Sequence, residues 1–220
     1  MSLFPGLTVE RIVTAAFAIA DADGLEALTI RGVAEALGSS PMSLYRHVPG
    51  KEQLIDLMID EVVGEQDLAM LPSGNWPADL EVLAHAQRAA AMRHPWSVIA
   101  PARPLLGPQG LKRFETALSI FTTQDLPVDR RAWAVGCVDS YVRGAVISEL
   151  AVLNEQTRTG LDLASWQKSV EPYMNRMLAT GDFPMIDEYV RDAPPPDPWA
   201  AFQDGLDVVI SGLRVALDKY

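Results

Sequence analysis

The chemistry most legible in this chain is hydrogen-bond donation from a short surface free of carboxylates. Residues 36–51 contain no Asp or Glu, and Arg46, His47 and Lys51 fall within six positions of one another there. An arginine on such a surface can donate two hydrogen bonds to a guanine edge, and small or apolar neighbours such as Ser43 and Met42 can touch base edges and thymine methyls. Catalytic spacing is missing by contrast. The three histidines (His47, His85, His94) and the single Cys137 occur without Gly-x-Ser-x-Gly, His-Glu-x-x-His, a glycine-rich phosphate loop or Cys-x-x-Cys. The expectation is a binding protein rather than an enzyme, with no metal and no cofactor.

Charge restricts how such a protein meets a polyanion. The 220 residues carry a formal charge of -11, which counts against indiscriminate coating of nucleic acid by Lys and Arg. Even residues 1–60 hold four basic side chains against eight acidic ones. DNA binding must therefore be local, confined to the acid-free window. A hydrophobic content of 49% is enough for a large core without disulfide staples, and one cysteine cannot form an intramolecular disulfide. There is no basic leader before an apolar run and no stretch of about 18 apolar residues. The expectation is a cytoplasmic protein with no membrane partner.

The elements that position the window follow from periodicity and punctuation. Val9, Ile12, Val13, Ala16, Phe17 and Ala20 have the spacing of an amphipathic helix, capped by Thr8 and stopped near Gly24. Thr29 caps a second helix with Ile30, Val33, Ala34 and Leu37 inside, and Gly38 sits where a left-handed residue ends it. Ser40 followed by Pro41 starts a third, read as Ser40 to Val48, which Pro49-Gly50 breaks. A fourth runs from about Lys51 to Gly64. Further helices are expected at about Ala78–Arg93, Gln109–Thr122, Asp129–Asn154, Leu163–Ala179 and Trp199–Leu217. No strand or repeat competes. The fold class is all-α, with a three-helix N-terminal head (1–50) and a larger helical domain (51–220), the helix at 51–64 linking them.

In the third helix, Leu44 and Val48 share one side and face the first two helices, while Met42, Ser43 and Arg46 lie on the opposite arc with Tyr45 and His47 flanking. Two helices joined by the Gly38-Ser39-Ser40 turn have helix-turn-helix geometry, which places Thr29 and Arg31 near phosphates. A polar outer face on an ordinary short helix is the competing reading. Lys51 at a helix N-terminus opposes the macrodipole, a conflict that a bound phosphate would resolve and that a solvated lysine would merely tolerate.

The stretch from Leu7 to Met58 resembles the tetracycline-repressor (TetR-like) family. The matching elements are Thr29 with Arg31, Val33 to Gly38, Leu44 to His47, and Lys51 to Leu54. The resemblance implies a homodimeric transcriptional regulator, expected to be a repressor, that binds a roughly palindromic operator in double-stranded DNA and responds to a small-molecule effector; the alternatives are a DNA-binding regulator without a small-molecule inducer and an activator. Carried over by position, its DNA contacts are Thr29, Arg31, Ser40, Pro41, Met42, Ser43, Tyr45, Arg46, His47 and Lys51. Tyr45, His47 and Lys51 match phosphate-gripping positions; Met42, Ser43 and Arg46 match positions where base contacts vary. No tetracycline–metal signature accompanies them.

Beyond the head, Trp199, Phe202, Leu206, Val209, Leu213, Ala216 and Tyr220 recur at alternating spacings of three and four, the seam of a coiled coil. Phe202, Leu206, Val209, Leu213 and Ala216 are accordingly expected at a dimer interface, the other reading being a helix packed on its own core. The Asp129–Asn154 helix is apolar on two sides and so is covered twice. One side is expected to face an effector pocket lined by His85, Trp96, Arg103, Trp133, Asp139, Tyr141, Trp166, Tyr173 and Met177. Each has an ordinary alternative; Asp139, for example, can pair with Arg143 one turn on.

Overall fold

A computed structural model of the chain describes residues 6–100, 107–194 and 197–219. It is all-helical, with no strand among the described residues. Two compact units divide it, one of Met1–Ile147 with Leu206–Tyr220 and the other of Ser148–Gly205.

In the first unit, α1 (Val9–Ala27) starts where Thr8 Oγ1 accepts the Arg11 amide at 3.3 Å, and it buries Ile12, Val13, Ala16 and Ala20. Its regular turns stop at Gly24, whose φ of 80° only glycine adopts easily; a short turn then leads to Leu28. The helix α2 (Ile30–Ala36) begins at Thr29, which accepts the Gly32 amide at 3.0 Å. It ends in a Schellman arrangement: Gly38 has φ 60°, Ser39 N–H donates to Ala34 at 2.8 Å and Gly38 N–H to Glu35 at 3.0 Å.

Ser40 caps α3 (Pro41–Tyr45), accepting the Ser43 amide at 3.3 Å, and Pro41 occupies the first turn. This helix is shorter than the expected Ser40–Val48. Past Tyr45 the chain tightens, with the His47 and Val48 amides both on the Leu44 carbonyl at 2.9 Å, before Gly50 runs extended into α4 (Lys51–Gly64).

The core that carries these helices does not stop at residue 50. Ile12, Val33, Leu44 and Val48 pack in one buried cluster with Leu54, Met58 and Val62 of α4 and with Ala90, Trp96 and Ala100 beyond it. The helix α5 (Trp76–Arg93) starts two residues earlier than expected because Pro77 is at home in a first turn. A four-residue α6 (Trp96–Ile99) follows, too short for periodicity to reveal, then α7 (Pro108–Ser119).

The helix α8 (Val128–Thr159) outruns its expected end at Asn154, since no helix breaker occurs before Gly160, φ 70°. In the second unit lie α9 (Leu163–Leu178) and α10 (Pro184–Asp192), the latter unexpected from sequence. The helix α11 (Pro198–Leu217) returns to the first unit.

The expected dimer seam needs correction here. Phe202, Leu206 and Leu213 are 3%, 0% and 3% exposed, so they face the chain's own interior together with Ile210 and Leu217. Val209 and Ala216 are half-buried, and Tyr220 lies outside the described residues. Side chains already covered within one chain have no area left to bury against a second. The outward face of α11 carries instead Val208 and Val215, 72% and 67% exposed.

Because Leu44 is fully buried and Met42 is 69% exposed on the same short helix, the two should separate in a stability assay. Leu44→Ala is expected to lower the unfolding free energy by about 2–5 kcal/mol. Met42→Ala should stay within about 0.5 kcal/mol in denaturant titrations.

Candidate nucleic-acid interface and effector cavity

The outer surface of the head follows from what its inner surface must do. Leu44 and Val48, both 0% exposed, fix the rotation of α3. With those two inside, Met42, Tyr45, Arg46 and His47 are exposed, and Thr29, Arg31, Ser40 and Pro41 continue the same exposed set. Neither Arg31 nor Arg46 is paired with a carboxylate among the described residues. Ser43 is half-buried, its hydroxyl 3.0 Å from that of Ser40.

Lys51 is half-buried and donates from Nζ to the Leu25 carbonyl at 3.2 Å. That bond gives the cation a structural partner: it ties the start of α4 to the turn after Gly24 and meets the electrostatic conflict seen in the sequence. A phosphate is thus not required to explain the residue.

A second site lies within the first unit. A cavity of about 720 Å³ is walled by α4, α5, α6, α7 and α8. Of the nine residues expected to line a pocket, eight are described, and among those eight only Asp139 reaches it. Trp96 is 2% exposed and belongs to the core that carries the head, donating from Nε1 to Asp21 at 2.7 Å. His85 and Tyr141 are half-buried away from the cavity lining, and Trp133 is 44% exposed. Trp166 and Tyr173 are exposed and Met177 half-buried on α9, in the second unit. Arg103 lies outside the described residues.

The polar centre of the cavity is a residue that sequence reasoning missed. Arg113 of α7, 8% exposed, donates from Nη2 to Asp139 at 2.6 Å and to Gln87 at 3.2 Å, and from Nε to Gln66 at 3.0 Å. A guanidinium taken out of water needs this many acceptors, since an unpaired buried charge is costly. The signal was its register. Gly110, Arg113 and Ala117 occupy one buried stripe, and an arginine in an apolar stripe must find partners inside. Arg143, the other candidate partner of Asp139, instead donates to the Val98 carbonyl at 2.8 Å.

Asp60 of α4 is also in the wall, 7% exposed, accepting the backbone amides of Gln109 at 3.2 Å and Gly110 at 2.8 Å. It caps the N-terminus of α7, where a carboxylate complements the helix dipole. A Cβ at Gly107 would lie 2.3 Å from its carboxylate, so glycine is required for this approach. Outside the cavity lining, burial pushes the Cys137 thiol up from its ordinary value.

A helix-turn-helix head rooted in a helical body with a cavity defines a class, that of DNA-binding regulators with a ligand-binding domain. Residues 12–58 match the bacterial regulatory proteins of the tetR family, and residues 68–217 match the tetracyclin repressor-like C-terminal domain. The chain therefore belongs to the TetR family of transcriptional regulators. It is 39% identical over 213 residues to the HTH-type transcriptional repressor DrrR1 of Streptomyces coeruleorubidus, covering 96% of this chain and 78% of that one. The apo structure of ActR from Streptomyces coelicolor is similar over 98% of this chain and 99% of its own, with TM-score 0.82 and 25% identity. ActR in complex with actinorhodin matches with TM-score 0.79, 25% identity and 97% and 99% coverage. No helix among the described residues is long and apolar enough to cross a membrane.

If Arg113 and Asp139 act as one unit, their substitutions will not add. In a double-mutant cycle of Arg113→Met and Asp139→Asn, the coupling should be on the order of 1–3 kcal/mol by chemical denaturation. Additive losses would assign the two residues to independent roles.

Proposed function

We propose that the protein is a homodimeric repressor that grips a roughly palindromic operator through α3 and releases it when a small molecule fills the α4–α8 cavity. The observation that carries this reading is the double role of α4. One end follows directly from the head, and its side chains Asp56, Leu57 and Asp60 line the cavity. A ligand there has differential contact with any two positions of α4, which is what a shift between binding-competent and incompetent states requires. That ActR, a quarter identical, was solved with actinorhodin in complex supports a small-molecule effector for this chain too.

In this reading Arg46 and Met42 read base edges, while Thr29, Arg31, Ser40, Pro41, Tyr45, His47 and Lys51 hold the backbone and Ser43 supports the turn. The dimer face is the outward side of α8 and α11 rather than the inner seam. Trp133 and Ile147, 44% and 41% exposed, and Val208 and Val215 supply its apolar area. Gly136, Gly144 and Gly212 meet nothing within 4 Å at their would-be Cβ positions, so they let backbones approach closely there. Two-fold pairing would set two α3 helices one DNA turn apart, about 34–36 Å.

Selection from a random duplex pool, repeated with candidate effectors, tests the whole. The expected outcome is a two-fold site whose binding is lost at saturating effector; an enriched site insensitive to every cavity ligand would remove the effector from the reading. On the selected site, Arg46→Ala should cost about 1–3 kcal/mol and relax one base pair per half-site. Equal loss on random DNA would make it a phosphate contact. A Val208→Asp, Val215→Asp double variant should sediment as a folded monomer, and a dimer surviving it would place the interface elsewhere.

A further inference from the structure

One polar cluster belongs neither to the reading surface nor to the cavity. His94, just past α5, has a side chain only 13% exposed, and both its ring nitrogens meet carboxylates. Nδ1 is 2.8 Å from Asp21 of α1, and Nε2 is 3.1 Å from Glu65, which follows α4. The same Asp21 oxygen accepts the Trp96 indole N–H at 2.7 Å, and Arg93 pairs with Glu65 at 2.8 Å. Phe17 of α1 packs edge-on against both the His94 and Trp96 rings.

The geometry points to His94, as an imidazolium, being the positioning residue that fixes the DNA-reading head to the rest of the first unit. A neutral imidazole has one N–H and one lone pair, so it can donate to one of these carboxylates and must turn a lone pair toward the other. Only the doubly protonated ring donates to both. Charge balance agrees: Asp21 and Glu65 supply two negative charges and Arg93 one positive, so the cluster is neutral with the imidazolium and carries an uncompensated negative charge without it.

The location makes the device consequential. The head is continuous with α4, a link that one helix can bend or rotate about. Asp21 lies near the last regular turn of α1, just before Gly24, so the His94 bridge is a second, non-covalent attachment between α1 and the segment joining α5 to α6. The bridge adds to the packing of Phe17 on Trp96 and to the Trp96–Asp21 hydrogen bond; with it the direction of the head is set, and without it those contacts hold the head less rigidly. The attachment is complete while the ring holds both protons and weakens once it loses one, so operator affinity falls as pH rises.

The inference rests on the operator-binding reading, and its first test uses no DNA. In 15N spectra of the full-length protein, the Trp96 indole N–H, assigned through Trp96→Phe, should move in a single step between pH 5.5 and 8.5. That step should vanish in His94→Gln. A resonance that stays fixed across the range, or a step that survives His94→Gln, overturns the proposal.

The second test measures affinity for the selected operator in a His47→Gln background, which removes the other histidine placed at the DNA face. Affinity should fall about fivefold or more between pH 6 and 8 and be pH-independent once His94→Gln is added. Glu65→Gln should keep the low-pH affinity at pH 8, because its amide can donate to the unprotonated nitrogen while the other still donates to Asp21. A fall at pH 8 undiminished in Glu65→Gln would overturn the bridge even if His94→Gln fails to fold. A titrating Trp96 resonance in a protein that selects no operator supports the bridge and counts against the operator reading alone.

Discussion

The reading surface depends on the burial of Leu44 and Val48. A five-residue helix has no stability of its own, because nucleation alone costs more than one turn returns. It holds its shape only because these two side chains are driven into the cluster built by Ile12, Val33, Leu54 and Met58. The same burial turns Arg46 and Met42 outward. In a chain of charge -11, attraction to phosphate is too weak to organise a loose surface, so the donors must be presented already in place. Apolar packing supplies that order, and the acid-free window supplies the chemistry.

The helix that completes the head core also builds the cavity, and the two share side chains. Leu54 and Met58 belong to the head cluster, Asp56 and Asp60 border the cavity, and Leu57 and Val62 touch both. Asp60 binds α4 to the first turn of α7 through two amides. Moving α4 alone would strand a buried carboxylate, which costs more than the hydrogen bonds themselves return. The soft motion is therefore one that carries α4 and α7 together. Arg113 sits on that same α7 and reaches Asp139 on α8, so a ligand that disturbs the ion pair acts on the pair of helices that roots the head.

What the sequence made legible was local. Thr8, Thr29 and Ser40 each cap the helix they announce, and Gly24 and Gly38 take the positive φ their positions required. These signals act over three to five residues and need no partner. The cavity was not legible, because its polar groups come from α4, α7 and α8 and meet only in three dimensions. Aromatic and polar side chains were poor guides to it. Trp96 was drawn instead into the core beside Phe17, where its indole N–H finds Asp21, and Trp166 and Tyr173 belong to another unit. The better guide was a charge out of place, such as Arg113 in a buried stripe or His94 between two acids.

The last helix shows why spacing by itself misassigns an interface. Alternating intervals of three and four describe any apolar stripe on a helix, whether it meets a second chain or its own core. Burial separates the cases, and it puts Phe202, Leu206 and Leu213 inside. The informative face is then the opposite one. A helix packed once should be polar outside, yet α11 exposes Val208, Gly212 and Val215 there, and α8 exposes Trp133 and Ile147 with glycines between. Valine and tryptophan exposed to this degree on an outer face are unfavourable in water. Their presence on two helices, each beside a glycine that would admit another backbone, is what one expects of a surface shaped for close contact rather than for solvent.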